Sequence, residues 1–221
     1  MSRRSNGEAR CPRCRMHASL CLCDRIPTLH TRTRLVLFLH HREDAKTTNT
    51  GRLATQCLSN SEVILRGVEG VEAARFEAPP GSRPLLLFPD ENATPLTEFV
   101  GSAEPITLIV PDGTWRQAAK VRHRVPGLAD VTTVSLPPDG AETTYRLRNE
   151  TREGGLATFE AIARAFGVLE GADAERAMDD VFRTMVDRTL WSRGVIGVDQ
   201  IFGGVPEGAV RHDPRSGVGA R

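Results

Sequence analysis

A layered α/β fold with a mostly parallel sheet flanked by helices is what this sequence predicts, on two observations. From residue 34 onward short apolar runs alternate with stretches of helical periodicity, the pattern that parallel strands and their covering helices leave in a chain. The composition also supplies a core: 39% of the 221 residues are apolar, and the 20 glycines bring the fraction into the ordinary globular range of about 45–50%. The longest purely apolar runs, such as Leu35–Leu39 and Leu85–Phe88, fall far short of the ~18 residues a membrane-spanning helix requires. No apolar signal region follows Met1–Arg4, so a cytoplasmic protein is expected.

Taken in order, residues 1–33 are expected to form a basic, cysteine-bearing N-terminal segment and residues 34–200 an α/β domain, with 201–221 expected to be a flexible tail because GGVPEGAVRHDPRSGVGAR lacks periodicity. Strands are expected at Arg34–Leu39, Glu62–Leu65, Pro84–Phe88, Pro105–Val110 and Val131–Ser135. Helices are expected at Asn49–Leu58, Trp115–His123, Thr158–Leu169 and Ala174–Trp191. The third of these carries Phe159, Ile162, Ala163, Phe166 and Leu169 at helical spacing, and the fourth Met178, Val181, Phe182 and Met185 on one face, so both read as cover for a sheet. There is no internal repeat.

Net charge is only +1, from 29 basic and 28 acidic residues, but its distribution is uneven. Residues 1–34 hold eight arginines against Glu8 and Asp24, a local charge of +6 that leaves −5 for the rest. All the basic residues except Lys46 and Lys120 are arginine, which genome composition explains as readily as phosphate recognition does.

Four of the five cysteines form Cys11-x2-Cys14-x6-Cys21-x-Cys23. Zinc takes four thiolates in a tetrahedron at about 2.3 Å, and two close pairs on a short ribbon supply them. Disulfides would imply a secreted chain, and neither pair opens a helix after a strand as a thioredoxin-like redox motif does. A structural zinc held by Cys11, Cys14, Cys21 and Cys23 is therefore expected, coupled to the folding of this segment. His17 is left facing solvent or RNA, Cys57 reads as a buried apolar residue, and Arg13 and Arg15 decorate the knuckle as a phosphate-contacting surface.

In parallel sheets ligands sit beyond the carboxyl ends of the strands. Three strand ends carry chemistry here: His40-His41-Arg42-Glu43 with Thr47–Arg52 after the first strand, Pro89-Asp90-Glu91 after the third, and Pro111-Asp112-Gly113-Thr114-Trp115 after the fourth. No G-x-G-x-x-G follows the first strand, and there is neither a P-loop nor a G-x-S-x-G elbow, so dinucleotide, P-loop and serine-hydrolase readings lose their support.

The knuckle, Thr-Asn-Thr-Gly-Arg at 48–52, Leu-Phe-Pro at 87–89, Asp-Gly-Thr-Trp at 112–115, Tyr-Arg-Leu-Arg at 145–148 and Leu-Ala-Thr-Phe-Glu-Ala at 156–161, all in order, resemble the DTW-domain family. The resemblance spans residues 11 to about 170. It implies a SPOUT-like knotted fold that binds S-adenosylmethionine, one of the rare exceptions to un-knotted topology. It also implies transfer of the 3-amino-3-carboxypropyl group to N3 of a tRNA uridine, with release of methylthioadenosine. The family's His-Pro-x-Glu element reads His40-His41-Arg42-Glu43, a departure that changes loop stiffness more than chemistry because His40 and Glu43 remain.

On this resemblance Asp112, Thr114 and Trp115 are the catalytic candidates. The S-adenosylmethionine contacts fall on Leu87, Phe88, Pro89, Pro111, Asp112, Gly113, Arg146, Arg148, Thr158 and Glu160, and the RNA contacts on Arg13, Arg15, His40, Arg116, Lys120, Arg122 and Arg124. Asp112 serves as general base or orients N3–H; an ordinary aspartate near pKa 3.9 is a weak base at neutral pH, so burial beside Trp115 is required to raise it. Trp115 excludes water and offers a stacking face. Arg146 and Arg148, two apart on an extended segment, suit a carboxylate or a phosphate.

Plainer readings exist for each. Asp112-Gly113-Thr114 is also a helix cap, Trp115 a core residue, the 116–124 run a solvated helix face, and Thr158 and Glu160 the start of an amphipathic helix. For the whole chain the alternatives are a non-catalytic zinc-dependent RNA-binding protein, or aminocarboxypropyl or methyl transfer on ribosomal RNA.

Overall fold

The computed structural model describes residues 10–211 except 45, 47–48, 72–74, 139–141 and 148–154. Along the chain run β1 (Arg34–His40), α1 (His41–Asp44), α2 (Gly51–Gln56), β2 (Ser61–Arg66), β3 (Arg83–Leu87), β4 (Thr94–Pro95), β5 (Ile106–Asp112), α3 (Trp115–Ala119), α4 (Val121–Arg124), β6 (Thr132–Ser135), α5 (Thr158–Glu170) and α6 (Ala172–Ser192). The strands form one six-stranded sheet in the order β2-β1-β5-β3-β6-β4, parallel throughout.

Both sheet faces are covered, which explains why the strands read as unbroken apolar runs rather than as alternating ones. In β1, Leu35, Leu37 and Leu39 face the layer built by α2, α5 and α6, while Val36 and Phe38 face the opposite layer with Phe76, Val121, Val125 and Leu128. All seven residues of β5 are buried, as suits the strand between β1 and β3. The apolar faces expected of α5 and α6 meet here, where Phe159 stacks on Phe182 with ring centroids 5.0 Å apart.

Two local features depart from the sequence pattern. The helix expected over Trp115–His123 is two short helices that meet at Lys120, and β4 is a two-residue strand, too short to leave a periodic signal. Among the described residues no helix is long and apolar enough to cross a membrane. Residues 201–211 run against the N-terminal knuckle and α6: Ile201 is buried, Arg25 Nη2 donates to the Gly203 carbonyl at 2.7 Å, and Arg188 Nε donates to that of Gly204 at 2.8 Å.

An all-parallel sheet puts every strand's carboxyl end on one edge. From β1 the chain leaves toward β2, whereas from the adjacent β5 it leaves toward β6 on the other side. The crevice between those departures is where ligands bind in open α/β sheets.

Candidate active site and metal centre

That crevice holds a cavity of about 440 Å³, a volume suited to a small-molecule ligand. Leu87, Phe88, Val110, Pro111, Leu136 and Pro138 make much of its wall apolar, and Glu43, Asp112, Thr143, Thr158 and Arg164 add polar groups. Trp115 also lines it, its ring edge-on to Phe88 at 6.2 Å between centroids.

Asp112, the last residue of β5, is only 6% exposed. Its Oδ2 accepts from Asn49 Nδ2 at 2.6 Å and its Oδ1 from Thr158 Oγ1 at 2.8 Å, so the segment entering α2 and the first turn of α5 converge on one carboxylate. Hydrogen bonds to a charged acceptor contribute about 1.5–3 kcal/mol each, and here one on each oxygen fixes the plane of the carboxylate. Asn49 is itself oriented, because its Oδ1 accepts from Arg52 N at 3.0 Å. Gly51 permits this approach: a Cβ there would stand 2.5 Å from Asp112 Oδ2 and 3.1 Å from Thr158 Cγ2.

Of the residues expected to contact S-adenosylmethionine, Leu87, Phe88, Pro89, Pro111, Asp112, Gly113 and Thr158 line this cavity together with Trp115. Two others, Glu160 and Arg146, are placed differently, as is the catalytic candidate Thr114. Thr114 is exposed and caps α3, its Oγ1 accepting from Gln117 N at 3.4 Å while Gln117 Oε1 accepts from Thr114 N at 2.9 Å. Glu160 is buried behind the wall and accepts from Thr143 Oγ1 at 2.6 Å, Thr144 N at 2.7 Å and Ala157 N at 2.9 Å, which anchors the 142–145 loop onto α5. Arg146 lies in a turn and not on an extended segment, and its Nη2 donates to Asp187 Oδ1 at 2.6 Å on α6. Arg148 lies outside the described residues.

The basic residues divide in the same way. Arg13, Arg116 and Arg124 are exposed, and Lys120 and His40 are half-buried. Arg122 is half-buried and engaged, Nε donating to the Ala129 carbonyl at 3.0 Å. Arg15 bridges the knuckle to the chain after β1, pairing with Asp44 at 3.1 Å, and Asp44 also holds Arg52 at 2.7 Å.

Sequence reasoning missed Asn49 as a partner of Asp112, Arg164 in the cavity wall, and Arg66. Arg164 had a signal, since Thr158, Ala161 and Arg164 repeat every three residues on the cavity side of α5. Arg66 closes β2, a strand whose carboxyl end carries no motif.

Apart from this cavity, the Sγ atoms of Cys11, Cys14, Cys21 and Cys23 all lie within 4.8 Å of one another, with Cys11 to Cys23 at 3.4 Å and Cys14 to Cys21 at 3.8 Å. A tetrahedron of sulfurs around zinc has edges of about 3.8 Å, so the donor set and its spacing fit the ion. Burial, reinforced by the neighbouring thiols, pushes Cys14 and Cys23 upward. Burial also pushes on Cys11, but hydrogen bonds from the backbone of Cys14 and Arg13 and from the thiols of Cys23 and Cys21 outweigh it and bring Cys11 down to about 6. A central dication offsets the mutual repulsion of four thiolates. Arg188, only 2% exposed, donates from Nη1 to the carbonyls of Leu20 and Cys21 and so ties the knuckle to α6. Cys57 is buried in the core, where desolvation pushes its thiol up to about 12.

The DTW domain family profile matches residues 8–190. The chain is 27% identical over 172 residues to tRNA-uridine aminocarboxypropyltransferase 2 of Drosophila melanogaster, covering 75% of this chain and 68% of that one. It is 27% identical over 211 residues to tRNA-uridine aminocarboxypropyltransferase A of Arabidopsis thaliana, with 80% and 79% covered. To tRNA-uridine aminocarboxypropyltransferase 2 of Macaca fascicularis it is 29% identical over 168 residues, with 72% and 56% covered. No solved structure matches the chain.

Proposed function

Since the chain belongs to the DTW domain family, we propose that it is a tRNA-uridine aminocarboxypropyltransferase that moves the 3-amino-3-carboxypropyl group of S-adenosylmethionine to N3 of a tRNA uridine. The observation that carries this reading is a buried carboxylate, Asp112, held by two donors at the mouth of a largely apolar cavity at the sheet's crevice.

In the reaction the N3–Cγ bond forms as the Cγ–S bond breaks, the sulfonium becomes the neutral thioether of methylthioadenosine, and the N3 proton leaves through a base to solvent. Asp112 orients N3–H at the cavity wall and receives its proton as the N3–Cγ bond forms; Asn49 and Thr158 fix the plane of the carboxylate and so serve the orientation. Trp115 and Phe88 form an aromatic corner that excludes water and gives uracil a face to stack on. Excluding water favours the step, because an anionic base and a cationic sulfonium react toward neutral centres. With Arg146 engaged by Asp187, the guanidinium suited to the donor's carboxylate is that of Arg164 in the cavity wall. Thr114 acts through the α3 cap, which sets the position of Trp115.

The four cysteines hold a structural zinc, which supplies no open coordination position and keeps the knuckle folded against α6. Reduced thiols of this kind suit a cytoplasmic protein. Arg13, His40, Arg116, Lys120 and Arg124 contact the tRNA backbone.

The test is incubation of purified protein with unmodified tRNA and S-adenosylmethionine labelled either at the carboxyl carbon or at the methyl, followed by mass spectrometry of the nucleosides. Carboxyl label on uridine is expected. Methyl label alone, or label in ribosomal RNA and none in tRNA, would replace this reading.

A further inference from the structure

The carboxyl end of β2 brings Arg66 beside the 112–114 turn, on the side away from the cavity. Arg66 does not line the cavity, whereas Gly113 does, and Arg66 Nη2 lies 3.5 Å from where a side chain on Gly113 would begin. Nη2 donates to the Gln117 carbonyl at 3.0 Å. Nε is buried and has no acceptor among the described residues. Among the described residues one of the five guanidinium N–H groups is thus in use.

Its surroundings are cationic. His40 is Arg66's register partner across the β1–β2 pair, and its Nδ1 accepts from Arg42 N at 3.2 Å, which leaves Nε2 to carry the proton in the neutral ring. Burial first, then the charges of Arg66, His41 and Arg42, hold His40 below the usual histidine range. Burial and Arg124 likewise lower Arg66, with Asp112 opposing them. Among the described residues neither Arg66 nor Arg124 forms a salt bridge with a carboxylate. Arg66 reaches α3 through the Gln117 carbonyl, α4 with Arg124 follows α3 at Lys120, and His40 is the register neighbour, so two guanidinium groups and an N–H donor belong to elements that meet at this end of the sheet, and the charge of Asp112 beyond the turn opposes them only in part.

We propose that Arg66, Arg124 and the Nε2–H of His40 form a receptor for a single RNA phosphodiester, that of a nucleotide flanking the reactive uridine. The inference rests on the reading of RNA as substrate given above. It adds a register: the backbone is gripped outside the 112–114 turn while the base enters the cavity inside it. The planar fork of arginine suits phosphate oxygens, and the donor's carboxylate is a poorer candidate because Arg66 stands outside the cavity wall.

The experiment measures tRNA affinity over a series of KCl concentrations for the wild type, Arg66→Gln, Arg66→Lys, Arg124→Gln and the double variant Arg66→Gln with Arg124→Gln, with S-adenosylmethionine binding followed by calorimetry. Loss of one phosphate contact lowers the slope of log Kd against log salt by about 0.7–0.9. Part of that loss is expected for Arg66→Gln and for Arg124→Gln, which share the phosphate, and all of it for the double variant, with Arg66→Lys keeping the slope and donor binding unchanged throughout. Arg124 is exposed, so its variant carries the test if Arg66→Gln fails to fold. Wild-type slopes in both Gln variants would overturn the proposal, as would weakened donor binding with an intact slope. Failure of the wild type to bind or modify tRNA would instead overturn the underlying reading.

Discussion

The cysteine knuckle and the crevice at the carboxyl ends of the strands both hold polar groups within a few ångströms of one another, and they do so by opposite means. In the knuckle four sulfurs come from thirteen consecutive residues and lie at a spacing that fits a metal ion, which on the reading above holds them together. In the crevice Asn49, Asp112 and Thr158 come from three separate elements, and the whole sheet and its helices hold them. The first arrangement depends on a ligand and the second on the fold, so different perturbations should damage each. They meet on α6, where Arg188 grips the knuckle and its neighbour Asp187 takes Arg146 from the loop beside the cavity.

The largest effect expected is that of removing the metal. Structural zinc contributes about 10–16 kcal/mol of apparent binding energy in small zinc-finger peptides, so chelation or Cys14→Ser should unfold the knuckle. Metal analysis should show about one zinc per wild-type chain, and amide exchange after chelation should rise first across residues 11–25. Equal loosening of β5 at the same moment would break the distinction between the two regions.

Next in size is Arg188→Met, which leaves the carbonyls of Leu20, Cys21 and Gly204 without their donor. At about 1–3 kcal/mol for each orphaned buried acceptor, the unfolding midpoint in denaturant should fall substantially. Donor binding in the cavity should weaken less than metal retention does, and the reverse order would show that α6 couples the two sites more tightly than their separate construction suggests.

Thr158→Val removes one donor from the buried Asp112, and Gly51→Ala drives a methyl into the same carboxylate. Each should cost about 1–3 kcal/mol of stability and slow the transfer, with zinc content unchanged. The smallest effect belongs to Arg34→Ala, which breaks an exposed pair with Glu62 on the edge strand, remote from both regions. It should shift stability by about 0–1 kcal/mol and leave activity alone, as thermal unfolding and the labelling assay would report.

How far each region could be read from sequence follows the same division. The clustering of the four cysteines was legible because their spacing sets it, and the strands because burial on both faces writes them as apolar runs. Asp112, Trp115 and the apolar wall were legible as strand-end residues once the motifs were in order. Arg146 and Glu160 were placed near the donor by the same motifs, yet Asp187 turns one away and the 142–145 loop occupies the other. Such partners lie far along the chain, and no local pattern names them. Asn49 and Arg66 were hidden for the same reason: their roles depend on which strand ends the topology makes neighbours.

The claim that Asp112 acts on the incoming uridine rather than on the donor is tested most directly by Asp112→Asn. S-adenosylmethionine affinity, measured by calorimetry, should match the wild type, because asparagine keeps the side chain's shape. Transfer of the labelled aminocarboxypropyl group to tRNA should fall by about 10²–10⁴-fold, the usual contribution of a positioned base. Transfer at the wild-type rate would contradict the account.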